Sequence, residues 1–278
     1  MRWVAPTTAN PKGAEPVSTR RLPGTWWLLS APLLLFLLLP ILALLFYSSP
    51  AALVENLGKP VVRQAISLSL RTSTWATLAA ILLGTPVAYL IARGRFRGKV
   101  LLDNLIDLPI VLPPAVSGIA LLLVFGRRGW VGTWLDGFGI QITYSAAAVV
   151  IAQTFIAVSL YIRAAAIGFA AVESELEDAA AIDGANQRQI FLRMTLPLSR
   201  RALMTGVALA WARALGEFGA TIIFAGNFPG RTQTMPLAIY LGFELDLGIA
   251  VTLSVILVTL SFLILFFVRV LFQRGSEA

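Results

Sequence analysis

Residues 26–47 hold no charged side chain at all, and that run limits the fold more than any other feature of the chain. A helix crosses a bilayer with about 20 mostly apolar residues, and aromatic side chains gather at the two interfaces. Trp26 and Trp27 stand at one end of the run and Tyr47 at the other. A cleavable signal peptide has an apolar region of only about 7–15 residues, so this run is expected to remain as an anchor. Five more apolar segments follow, at 72–91, 109–125, 144–162, 202–224 and 248–268. With 58% hydrophobic and 13% charged residues in 278, no soluble domain could bury the apolar surface. The expected fold class is all-α: a polytopic membrane protein with six transmembrane helices over 26–272, after a cytoplasmic tail at 1–25.

Charge sets the orientation. The net charge of +8 belongs to cations scattered in short loops rather than to one patch, which argues against a nucleic-acid surface. With the amino terminus inside, fifteen Lys and Arg residues face the cytosol. Six face outward: Lys59, Arg63, Arg71, Arg127, Arg128 and Arg231. Both termini and the connection at 163–201 are then cytoplasmic. The chain has neither cysteine nor histidine, so disulfides, thiol nucleophiles, imidazole bases and the common zinc sites are excluded. Residues 94–99 match a phosphate-binding loop only in part. They are one residue short, Val100 stands where Ser or Thr belongs, and a membrane helix rather than a strand precedes them. Nucleotide is expected on another chain.

Several residues stand out within this plan. Residues 48–71 read as a polar connection and 126–143 as an external loop. Pro109, Pro113 and Pro114 should kink the third span, which then needs protein or water around its freed carbonyls. Asp103 and Asp107 lie one helical turn apart on its lead-in. Arg213 and Glu217 share one face of the fifth span, and a charge at mid-bilayer costs about 2.5–3.5 kcal/mol or more, so neither should face lipid. They are either a neutralised pair that holds the span inside the bundle or the lining of a translocation path. In the second case Arg213 offers bidentate donors to an anion. Gly216 and Gly219 then let a neighbouring helix come close.

The stretch 173–197 is polar between two apolar segments. Ser174 and Glu177 form a capping-box pattern, three alanines propagate a helix, and Gly184 suits a left-handed C-cap. Asn186 can cap a second helix, expected to stop before Pro197. A solvated connector is one account of it. The pattern Glu177-Asp178-Ala179-Ala180, then Gly184, then Leu196-Pro197, resembles the "EAA" loop of ABC-transporter permease subunits, which docks into a groove on a cytoplasmic ATPase. Asp178 and Met194 stand where that family usually has Glu and Ile. A second stretch, from Ala212-Arg213-Ala214-Leu215-Gly216-Glu217-Phe218-Gly219 through Asn227-Phe228-Pro229-Gly230-Arg231 to Tyr240, is similar to permeases of molybdate or tungstate importers. Sulfate and thiosulfate permeases are near relatives.

The resemblance implies a type I ABC importer permease in a prokaryotic inner membrane. It implies a second permease copy, two ATPase subunits that hold ATP and magnesium, an external substrate-binding protein, and no cofactor or metal on this chain. Arg127, Arg128, Asn227 and Arg231 on the outer side are candidates to meet that binding protein or steer the anion. An ion-coupled secondary transporter is an alternative, but it needs a midplane ion site, and Glu217 is the one deep acid; inverted repeats are also missing. A non-transporting membrane scaffold would have no use for the docking loop.

Overall fold

The computed structural model describes residues 24–273. The tail expected at 1–25 lies outside them, except for Gly24 and Thr25, which open the first helix. Among the described residues every regular element is helical. The chain divides into two compact units, Met1–Leu45 and Phe46–Ala278. Helix α1 (Gly24–Tyr47), which lies in the first unit up to Leu45, is apolar all round, with Leu28, Phe36 and Leu39 exposed. That is the surface of a helix whose solvent is hydrocarbon.

The second unit contains the remaining helices. They are α2 (Pro50–Gly58), α3 (Pro60–Arg93), α4 (Lys99–Val111), α5 (Pro114–Phe125), α6 (Trp130–Asp136), α7 (Ala146–Ala170) and α8 (Ser174–Ile182). After them come α9 (Gln187–Ile190), a π-helical turn (Phe191–Thr195), α10 (Leu196–Leu198), α11 (Arg200–Leu215), α12 (Gly219–Phe224), α13 (Met235–Leu245) and α14 (Leu247–Gln273).

Helix α7 is the shared core element. One stretch of it packs with α3 and α11 around Ala76, Ala80, Tyr161, Ala165, Phe169 and Ala210. Its first half packs with α5 and α12 around Leu121, Ala152, Ile156, Ala220 and Phe224. Small residues set these distances. A Cβ at Gly84 would lie 2.9 Å from Tyr161, one at Gly168 2.5 Å from Ala202, and one at Gly206 2.9 Å from Ala164. Lipid is as apolar as leucine, so close backbone approach rather than water exclusion drives this association.

Three segments differ from their sequence reading. Residues 48–71 are largely helical: Ser49 caps α2 and Pro60 opens α3, which is buried along Val62, Ala65, Ser69, Thr72 and Ser73. The third span is two helices, α4 and α5, bent by 113°. Leu112 and Pro113 hold extended backbone between them, because two consecutive prolines supply no amide hydrogen there. The segment 202–224 is also broken, into α11 and α12, at Gly216, Glu217 and Phe218. Helix α6 falls within the stretch expected to be an external loop, and α13 lies between the fifth and sixth apolar segments. Among the described residues, four helices are by length and composition able to cross a membrane, or five if the α4–α5 pair counts as one span.

Candidate functional site

The loop after α7 forms a compact helix-turn-helix. Helix α8 ends as its sequence suggests: Gly184 has φ 89°, its amide donates to Ala181 O, and Ala185 N donates to Ala180 O at 2.9 Å. Those two bonds make a Schellman closure. Nothing stands within 4 Å of a Cβ built at Gly184, so its backbone angle, not crowding within this chain, is what asks for glycine. Asn186 and Gln189 form a reciprocal capping box, with the two bonds at 2.9 and 2.8 Å.

Two local expectations fail. Glu173, not Ser174, is the N-cap of α8, and its side chain makes no cap bond. The Glu177 carboxylate is engaged elsewhere: it accepts from Thr195 Oγ1 at 2.6 Å and lies 3.1 Å from an Arg93 nitrogen. The second helix does not stop before Pro197 either. It widens into the π turn, where Leu196 N donates to Phe191 O, and helical backbone continues through Pro197. Widening is how a helix accommodates a residue that cannot donate its own amide.

The loop presents Asp178, Ala179 and Ile182 to the outside, Ile182 at 87% exposure, while Ala180 and Leu196 are half-buried. Beside them a cleft of about 380 Å³ is lined by Asp183, Gly184, Gln189, Ile190, Arg193 and Met194. The loop thus offers a small apolar tip flanked by acids, on a segment with fixed ends.

The root of the loop carries residues whose part the sequence did not reveal. Arg93, the last residue of α3, donates to Val172 O at 2.7 Å as well as pairing with Glu177. Arg163, within α7, grips both acids of α4. It donates to the two Asp107 carboxylate oxygens at 2.7 and 2.6 Å, to Asp103 Oδ1 at 3.0 Å and to Asp103 O at 2.8 Å. The one-turn spacing of Asp103 and Asp107 was the available signal; their partner is 56 and 60 residues away.

The second candidate site lies at the α11–α12 break. Arg213 donates to Glu217 Oε2 at 2.9 Å, and Glu217 Oε1 accepts from Ala220 N at 2.9 Å. Glu217 therefore caps α12 while neutralising Arg213. Its side chain is 1% exposed and that of Arg213 37% exposed, so the guanidinium opens onto a surface and the carboxylate does not. Gly219 permits close approach, since a Cβ there would lie 2.5 Å from Pro114 Cβ; at Gly216 the nearest atom would be 3.6 Å away.

The residues expected on the outer side differ in their surroundings. Arg127 is exposed and lies 3.5 Å from Asp136, and Arg128 and Arg231 are exposed. Asn227 is turned inward, donating to Leu237 O at 3.2 Å. Among the described residues no group of three or more acids gathers as a metal site would require.

Comparison with known proteins follows the same lines. A family model described as "Binding-protein-dependent transport system inner membrane component" matches residues 80–276. The chain is 37% identical over 243 residues to a probable transport system permease protein NifC of Clostridium pasteurianum, covering 87% of this chain and 85% of that protein. It is 43% identical over 205 residues to the molybdenum transport system permease protein ModB of Mycobacterium tuberculosis, covering 74% and 78%. The fold matches a crystal structure of a bacterial alginate ABC transporter in complex with an alginate pentasaccharide-bound periplasmic protein. That match has a TM-score of 0.69 and 16% identity, over 91% of this chain and 96% of that one.

Proposed function

Because the chain belongs to the family of binding-protein-dependent transport system inner membrane components, we propose that it is the membrane permease of an ATP-driven importer for molybdate. Tungstate, a tetrahedral oxyanion of the same charge, is the second substrate expected. The observation that carries the coupling half of this reading is the Glu177–Gly184–Asn186 loop, a solvent-exposed helix-turn-helix joined directly to core helix α7. The substrate half is carried by the relatives described as molybdenum permeases.

The working unit pairs this permease with a second copy, two ATPase subunits carrying ATP and magnesium, and a binding protein on the outer face of a prokaryotic inner membrane. This chain does no covalent chemistry. Its loop takes up the motion of the ATPases, and its helices offer the anion two differently accessible arrangements. Arg213 suits the path because its guanidinium is partly open, while the Glu217 charge fixes its position and weakens its hold on a passing anion. Arg127, Arg128 and Arg231 suit the outer entrance, where exposed cations raise local anion concentration.

The test is purification of the tagged chain from its native membrane. A copurifying ATPase whose hydrolysis rises with molybdate-loaded binding protein supports the proposal. Uptake that runs on an ion gradient without ATP overturns it.

A further inference from the structure

We propose that Arg93 and Arg163 are positioning residues that fasten the root of the docking loop to α3 and α4. The inner ends of α3 and α7 then move with α4 and α8 as one body, and bending falls at Leu112–Pro113. The proposal rests on the transport reading above, because a body of this kind has a use only if the loop is driven.

The geometry is specific at both points. Arg93 ends α3 and holds the loop's entry through Val172 O and its first helix through Glu177. Glu177 in turn holds Thr195, the last residue of the π turn, and Thr195 is fully buried. One guanidinium thus gathers three pieces of chain. Arg163 sits two turns before the end of α7 and makes four hydrogen bonds to α4, two of them a parallel fork on Asp107. Forked, charge-assisted bonds fix orientation as well as distance, which a lysine cannot do.

No such tie joins α4 to α5. Beyond Leu112 the chain turns through 113°, and α5 packs instead on α12, with Pro114 against Gly219. Leu112 and Pro113 are extended, and Pro113 and Pro114 lack amide hydrogens, so no helical hydrogen bond bridges the turn through them. Helix α4 is tied to the last two turns of α7, whereas α5 packs on α12 and on the first half of α7. The soft point lies between them, as hinges do at element ends.

The cysteine-free chain allows the test in the assembled complex. Spin labels are placed at Asn104 and Glu175, both exposed and both inside the proposed body, and at Asn104 and Val116, across the bend. Distances are read in lipid nanodiscs without nucleotide and with ATP trapped. The 104–175 distance should stay constant while 104–116 shifts. Arg163→Lys keeps the charge but loses the fork. It should broaden the 104–175 distribution and lower molybdate moved per ATP, with ATP hydrolysis retained. A 104–175 distance that changes with ATP in the unmodified complex overturns the proposal, whatever the fate of the variant. So does Arg163→Lys with wild-type stoichiometry. A wild-type complex that moves no oxyanion instead refutes the transport reading, and the distance measurement stands apart from it.

Discussion

Arg213→Leu strands a carboxylate that has almost no contact with solvent. Glu217 is 1% exposed and has two partners, the Arg213 guanidinium and the Ala220 amide. Removing one member of a buried pair costs about 3–5 kcal/mol, chiefly because the other charge is left uncompensated. Two features reduce this. The Ala220 bond survives, and Arg213 is 37% exposed, so solvent already screens part of the attraction. A loss of about 2–3 kcal/mol is expected. Glu217→Gln is milder, at about 1 kcal/mol, because the amide oxygen can still cap α12 and Arg213 can turn towards its open side. Melting of the detergent-solubilised protein, followed by size exclusion, should fall by about 5–10 °C for Arg213→Leu and about 2–4 °C for Glu217→Gln. The double variant should lie near Glu217→Gln. Equal losses in the two single variants, or the reverse order, would refute the asymmetry drawn from burial. The double variant also separates the two roles: if the pair lines the path, the complex hydrolyses ATP without moving molybdate, and if it only holds the fold, transport survives.

Gly219→Ala should destabilise by about 1–3 kcal/mol through overpacking on Pro114, whereas Gly216→Ala should be within about 1 kcal/mol of neutral, both read by the same melt. Gly184→Leu forces a branched side chain into the left-handed region at the end of α8. It should leave insertion intact and abolish substrate-stimulated ATP hydrolysis; normal stimulation would show that only helix capping is at stake there. The Lys59 ammonium, with help from the Ile249 amide, holds Asp246 below the usual aspartate range. Its folded-state pKa is thus lower than its unfolded one, so the α2–α14 contact gains stability above the ordinary aspartate pKa and loses it as acid titrates the folded group. The pair is exposed and worth under about 1 kcal/mol, so Lys59→Met should reduce acid sensitivity only slightly, and a large change in the acid unfolding midpoint would contradict this.

Legibility followed the range of the interactions. The Gly184 closure and the Asn186–Gln189 box depend on residues three to five apart, and both could be read from sequence. The Ser174–Glu177 box failed because Glu177 is claimed by Thr195 and by Arg93, which local pattern cannot see. Residues 60–71 of α3 looked like part of a polar connection since Arg63, Gln64, Ser67, Ser69 and Arg71 interrupt the apolar run, yet Ser69 faces protein, a role that small hydroxyl residues serve well. The break in the fifth apolar segment was hidden for a similar reason. Glu217 was read as a pair partner on a continuous helix, and its second oxygen caps a new one. Arg163 gave no sign of its part, because its two acids lie on a helix that only the folded bundle brings near.

The most direct measurement is uptake of labelled molybdate into vesicles holding the permease with its ATPase, supplied with loaded binding protein. ATP-dependent accumulation that tungstate suppresses and equal sulfate does not is the predicted result. Accumulation without ATP, or suppression by sulfate as strong as that by tungstate, would contradict it.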